Sequence, residues 1–145
     1  MALPDFTRSL PMLLYQALDA VMPRFRRIFN RFGITEQQWR VLRVLHDEPI
    51  TTVGSLAAHT LIPAPSLVGV IDRLEKAELV TRRRRSSDRR VVEIVATEQG
   101  KQLQKTLMPL VTEAYAGLLK SLPPREWARL IENLERIAEL RKDDR

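Results

Sequence analysis

The 145-residue sequence predicts a mainly α protein with a small β-wing: a winged helix-turn-helix region carrying N- and C-terminal dimerisation helices. Three observations predict it. Leu67, Val70, Ile71 and Leu74 fall at the i, i+3, i+4, i+7 spacing of one buried helix stripe, behind a short helical pattern from about Val53 to Thr60. Two strand-like runs, Leu79 to Arg85 and Val91 to Ala96, flank an arginine-rich tip. Both ends of the chain carry apolar helical stripes longer than one small domain covers. The expected organisation is a single domain over 1–145, with a winged-helix region at 34–97 and dimerisation helices at 1–33 and 98–145.

Taken in order, Leu10, Leu14, Ala17, Val21, Phe25, Ile28, Phe29 and Phe32 mark a first helix from about Ser9 to Phe32, which Gly33 ends. Pro23 lies inside it and is expected to kink or divide it, because it removes a hydrogen bond and crowds the carbonyl of Asp19. Thr35 and Gln38 have the form of a capping box opening a second helix to about Asp47, with Val41, Leu42 and Leu45 facing the core. Ile50, Thr51 and Thr52 suit a short third strand beside the wing. Thr97 is placed as cap of a long helix from Glu98 to about Lys120, bent at Pro109, and Pro123 and Pro124 open a last helix through Trp127, Leu130, Ile131, Leu134, Ile137 and Ala138.

The helix bearing the Leu67 stripe shows Pro65, Ser66, Val68, Gly69, Asp72 and Arg73 on its other faces. A helix meant only for solvent would carry long charged side chains there. Small ones allow the backbone to approach a surface such as base-pair edges in a major groove. The prolines between His59 and Pro65 keep this helix from merging with its predecessor, as in a helix-turn-helix. From Arg82 to Arg90 the wing holds six arginines and one aspartate, a field suited to a polyanion. Asp88 is expected to accept a charge-assisted bond from Arg90 and fix the tip, from which an arginine reaches phosphates or a narrow minor groove.

Formal net charge +6 and pI near 10.3 likewise favour an acidic partner. No apolar run approaches the roughly 18 residues that span a bilayer, and no basic amphipathic anchor is evident. The opening MALPDFTRSL lacks the regions of a signal peptide, so the chain is placed in the cytoplasm. With no cysteine there is neither disulfide nor thiol sensing. No cofactor and no metal are expected.

The run Leu79 to Arg90, L-V-T-R-R-R-R-S-S-D-R-R, followed after five residues by A-T-E-Q-G, resembles the wing signature of the MarR family of winged-helix transcription regulators. Val70 to Glu75, V-I-D-R-L-E, resembles the end of that family's recognition helix, and the resemblance covers nearly the whole chain. Within the family, Ile34 to Arg40 and Pro65 to Val70 look most like regulators of homoprotocatechuate degradation operons. Three positions depart from the pattern. Glu78 stands where glycine is usual, Ala96 where leucine is usual, and Arg84 and Arg85 where proline and acids are frequent. Glu78 must therefore either bear left-handed strain or end its helix differently, packing under the wing should loosen, and the wing should be unusually cationic.

The unmatched apolar stripes predict a twofold dimer, and the resemblance implies the same. Two recognition helices then lie about 34 to 36 Å apart, one turn of B-DNA, over a roughly palindromic operator. On this reading Pro65, Ser66, Val68, Gly69 and Arg73 meet major-groove edges or flanking phosphates. Arg84, Arg85, Arg89 and Arg90, with Asp88 as splint, reach phosphates and minor groove, and Thr35 and Gln37 donate to the backbone. Arg73 has a second reading, an intrachain salt bridge with Asp72 or Glu75.

The resemblance also implies a small effector, often a phenolic acid, bound between dimerisation helices and winged domain. Tyr15, Arg26, Trp39, Arg43 and His46 are the candidates. Trp39, Arg43 and His46 share one helix stripe suited to an aromatic carboxylate. The reading favoured from the sequence is plainer: Trp39 fits core or dimer packing and Arg43 a solvated, snorkelling side chain. The leading function is thus a DNA-binding repressor of an aromatic-acid catabolic operon, released by ligand. A sequence-tolerant nucleoid protein is the alternative. An enzyme fits poorly, since the chain has only two histidines, no cysteine and no paired acids or phosphate loop at catalytic spacing.

Overall fold

The computed structural model describes residues 2–143; residues 1, 144 and 145 of the expected dimerisation segments lie outside it. Its elements run α1 (Leu10–Arg31), α2 (Glu36–Asp47), β1 (Ile50–Thr52), α3 (Val53–Thr60), α4 (Ala64–Lys76), β2 (Val80–Arg84), β3 (Val92–Ala96), α5 (Glu98–Leu119) and α6 (Pro124–Ala138), with single 3₁₀ turns at Phe6–Arg8 and Glu139–Lys142. The chain divides into two compact units, Met1–Val111 and Thr112–Arg145.

In the first unit the core gathers where the periodicity puts it. Leu67, Val70, Ile71 and Leu74 of α4 are buried with Val41, Leu42 and Leu45 of α2, Leu56 of α3, Ile94 of β3 and Leu107 of α5. Each such side chain contributes about 1.5 to 3 kcal/mol by leaving water. Buried Gln104 donates Nε2–H to the carbonyl of Leu42 at 2.7 Å, satisfying a polar group that would otherwise be costly in this core.

α1 is a single helix through Pro23, so the expected division does not occur. Phe29 is buried, and Phe25, Ile28 and Phe32 pack on the same core, so the half beyond Pro23 is held by tertiary contact. At its end Gly33 takes φ +69°, and the N–H groups of Ile34 and Gly33 bond the carbonyls of Phe29 and Asn30, each at 3.2 Å. The capping box of α2 forms, with Gln38 N–H to Thr35 Oγ1 at 3.1 Å and Thr35 N–H to Gln38 Oε1 at 2.8 Å. Thr52 Oγ1 caps α3 through Ser55 N–H at 3.2 Å.

The three strands form one antiparallel sheet in the order β1-β3-β2. β3 is central, pairing Thr52 and Arg83 with Glu93 from either side. Ala96 is buried beneath the wing and lies opposite Val80 in the sheet. In the second unit no described residue is buried. Leu130, Ile131, Leu134 and Ile137 of α6 stay exposed along one helix face, while Trp127 donates Nε1–H to the carbonyl of Leu119 at 2.6 Å. Among the described residues no single helix is long and apolar enough to cross a membrane.

Candidate nucleic-acid interface

α3 and α4 meet at a bend of 108°, within the roughly 90 to 120° of a helix-turn-helix. Leu61, between them, ends α3 in the left-handed region at φ 59°. Because the stripe of α4 is buried, Pro65, Ser66, Val68 and Arg73 are exposed on its far side, with Gly69 half-buried among them. The Arg73 guanidinium lies 3.8 Å from where a Cβ on Gly69 would sit. Thr35 and Gln37 are exposed at the start of α2, with the Thr35 hydroxyl engaged in its cap.

α4 ends in a Schellman turn. The N–H groups of Leu79 and Glu78 bond the carbonyls of Leu74 and Glu75, each at 2.9 Å, and Glu78 stands at φ 61°. The helix therefore keeps its ordinary ending, and Glu78 bears the strain. Thr97 donates its hydroxyl to the Glu78 carbonyl at 2.6 Å, tying the turn to the start of α5.

From sequence alone, six cations in nine residues are expected to repel one another until a polyanion relieves them. The fold corrects this, because four of the six meet the chain's own carboxylates. Arg82 joins Asp72 at 2.6 Å and Glu75 at 2.8 Å. Arg83 and Arg85, two residues apart and so on one side of β2 and its extension, share Glu93 at 3.2 and 2.9 Å. Glu93 is buried beneath them, and the Arg85 hydrogen bond, aided by Arg83, holds its carboxyl below the usual range against the cost of desolvation. Arg85 is thus anchored through Glu93 while its side chain stays partly exposed. Arg84 donates to the Arg89 carbonyl at 3.0 Å.

Asp88 does splint the tip. Its carboxylate accepts from Arg90 N–H and Nε–H at 3.1 Å and from Nη2–H at 3.3 Å, and these bonds lower its pKa. Arg90 otherwise faces solvent. Arg73 and Arg89 have no ion pair among the described residues, so the salt bridge weighed for Arg73 does not form. Arg82 has taken both its carboxylates. Sequence reasoning missed that role for Arg82; the available signal was Asp72 and Glu75, one helical turn apart, just ahead of the strand.

The effector candidates lie on two helices, Tyr15 and Arg26 on α1 and Trp39, Arg43 and His46 on α2. Trp39 is buried and stacks on Phe29 with ring centroids 5.5 Å apart and planes at 27°, the packing that its core reading expects. Arg43 Nη1 lies 2.9 Å from Asp47 Oδ1 without hydrogen-bond alignment, and His46 is exposed. Tyr15 and Arg26 line one open hollow of about 420 Å³ on α1, together with Met12, Gln16, Leu18 and Asp19.

Residues 34–92 match the model of the MarR family, and the chain is 40% identical over 129 residues to the HTH-type transcriptional regulator FarR of Neisseria gonorrhoeae, covering 89% of this chain and 86% of FarR. The chain belongs to the MarR family. It is also 34% identical over 132 residues to the homoprotocatechuate degradative operon repressor of Escherichia coli, covering 91% of this chain and 89% of that protein. The crystal structure of NadR in complex with 4-hydroxyphenylacetate superposes with a TM-score of 0.81 at 32% identity, over 94% of this chain and 100% of that one. This MarR-family chain thus carries the fold with a glutamate at the turn after α4 and with a wing whose charge is mostly satisfied from within.

Proposed function

We propose that the chain is a ligand-responsive DNA-binding repressor of an aromatic-acid catabolic operon, released by a phenolic acid. The observation carrying this reading is the exposed face of α4, where Pro65, Ser66, Val68, Gly69 and Arg73 stand outward over a fully buried stripe, close to a splinted wing. Small side chains permit a major-groove approach, and Arg73, Arg84, Arg89 and Arg90 supply the phosphate-facing charge. The exposed apolar faces of α1, at Leu10, Leu13, Leu14 and Leu18, and of α6, at Leu130, Ile131, Leu134 and Ile137, support a homodimer on a pseudo-palindromic operator.

The phenolic class is supported by the kinship to a homoprotocatechuate operon repressor and to NadR, which was solved with 4-hydroxyphenylacetate. Tyr15 and Arg26 are site candidates through the α1 hollow, with buried Trp39, half-buried Arg43 and exposed His46 as the candidates of α2. Trp39 contributes as a rigid neighbour in the core and as a fluorescent reporter.

The test is a titration of 4-hydroxyphenylacetate and 3,4-dihydroxyphenylacetate against tryptophan fluorescence and binding to the intergenic duplex beside the gene. Quenching with release of the duplex is expected; no change in either signal removes these inducers. A sequence-tolerant nucleoid protein would bind any duplex equally at matched salt, whereas a repressor prefers its operator by on the order of 10³ or more.

A further inference from the structure

One side chain joins the wing to α4. Arg82 of β2 donates Nη1–H to Glu75 Oε1 at 2.8 Å and Nη2–H to Asp72 Oδ1 at 2.6 Å, while its backbone N–H reaches Glu75 Oε2 at 3.3 Å. The planar fork of a guanidinium suits two carboxylates one helical turn apart, and a lysine ammonium, a point charge, does not. Residue alternation turns Arg82 and Arg84 to the side of the strand opposite Arg83 and Arg85, so Arg82 meets α4 while its neighbours meet Glu93. The pairing raises the pKa of Arg82, the Asp72 hydrogen bond being the largest cause.

Helical rotation of about 100° per residue sets Asp72 on the outward face of α4, among Pro65, Val68 and Gly69. An unpaired carboxylate there would repel phosphates. Bound to Arg82, it becomes the attachment point of the wing.

We infer that Arg82 is a positioning residue: through Asp72 and Glu75 it fixes the wing at one angle to the outward face of α4, so that both meet a duplex in a single register. This rests on the reading of the chain as an operator-binding regulator. Arg82 acts through the carboxylates that fill its fork and not on the nucleic acid, so it governs discrimination between sequences more than overall affinity. Removing a side chain that neutralises a phosphate lowers the slope of log K against log salt by about 0.9, whereas removing one that only positions the wing leaves that slope intact.

The probe is a duplex selected by the wild-type chain from a random-sequence pool, compared with a mixed-sequence duplex by fluorescence anisotropy over a salt series. Arg82→Met is expected to lower the ratio of the two affinities about tenfold, comparable to one mismatched base pair, with the salt slope unchanged. Asp72→Asn with Glu75→Gln, which breaks the clamp from the helix side, should lower the ratio similarly, and Arg82→Lys should recover part of it. An unchanged ratio in Arg82→Met overturns the inference, as does a slope reduced by about 0.9 for each Arg82. If Arg82→Met does not fold, the helix-side double variant decides by the same ratio. A wild-type chain that shows no preference for its selected duplex overturns the regulator reading itself; preference retained in both variants overturns only the clamp.

Discussion

Thr97 donates its hydroxyl to the carbonyl of Glu78 at 2.6 Å, so the one residue holding left-handed geometry after α4 is fastened to the first turn of α5. That hydroxyl also accepts from Gly100 N–H at 2.9 Å. A left-handed glutamate costs roughly 1 to 2 kcal/mol, and a carboxylate near a helix C-terminus adds an unfavourable dipole interaction. Glu78→Gly should therefore stabilise the protein by about 1 kcal/mol after the extra chain entropy of glycine is subtracted, read as a raised denaturation midpoint at unchanged m-value. A lowered midpoint would contradict the strain.

Gly100 lies against the wing's first residue. A Cβ there would stand 2.1 Å from the carbonyl oxygen of Leu79, which also accepts from Thr97 N–H. Neither backbone yields cheaply. Gly100→Ala should cost about 1 to 3 kcal/mol, as overpacking does, with amide exchange rising at Leu79 and Thr97 before it rises in α2.

The Glu93 carboxyl, held below the usual glutamate value near 4.5 by Arg85 and Arg83, stabilises the fold above that value. As pH falls through the lowered value, the folded state must take up a proton and the contribution is lost. Glu93→Gln should be less stable than wild type at neutral pH and show a flatter loss below about pH 4.5. Parallel curves down to acid would show that the two arginines do not depend on the charge.

Arg90 is exposed and aligned by Asp88. Arg90→Ala should weaken operator binding and reduce the salt slope by about 0.9 for each phosphate it no longer neutralises, leaving size-exclusion behaviour and circular dichroism unchanged. Asp88→Ala should also weaken binding, since Arg90 then pays more entropy to reach the same place.

Trp127→Ala removes the bond to Leu119 and a large part of the apolar face of α6. With that face covered by a second copy, the cost should be about 3 to 5 kcal/mol in chemical denaturation at fixed protein concentration. A silent substitution would place the indole at a free surface.

Most of the architecture was legible because it follows from local rules. The α4 stripe, the Thr35–Gln38 box, the Thr97 cap and even the three-residue β1 were each written in a spacing or a cap residue. Asp88 and Arg90, two residues apart, were legible as a pair, whereas the partners of Arg82, Arg83 and Arg85 were not, because they depend on how β2 lies against α4 and β3. Only once Arg83 lies opposite Glu93 do Arg83 and Arg85 gain a shared carboxylate. Of the two outcomes expected at Pro23, a kink or a division, the division does not occur, and the half beyond it is packed on the core through Phe25, Phe29 and Phe32. For Trp39 the periodicity allowed both a core and a ligand reading, and its partner in the stack, Phe29 of α1, lies too far along the chain for helical spacing to reveal.

A carboxylate gripped by two guanidiniums has a genetic consequence. With Arg83 absent, Arg85 still holds Glu93 Oε1, and with Arg85 absent, Arg83 still holds Oε2, so screens that replace one position at a time will understate what the pair does together. The dependence emerges only in pairwise libraries, as strong negative epistasis between codons 83 and 85, and in lineages it would let either position drift while the other is retained.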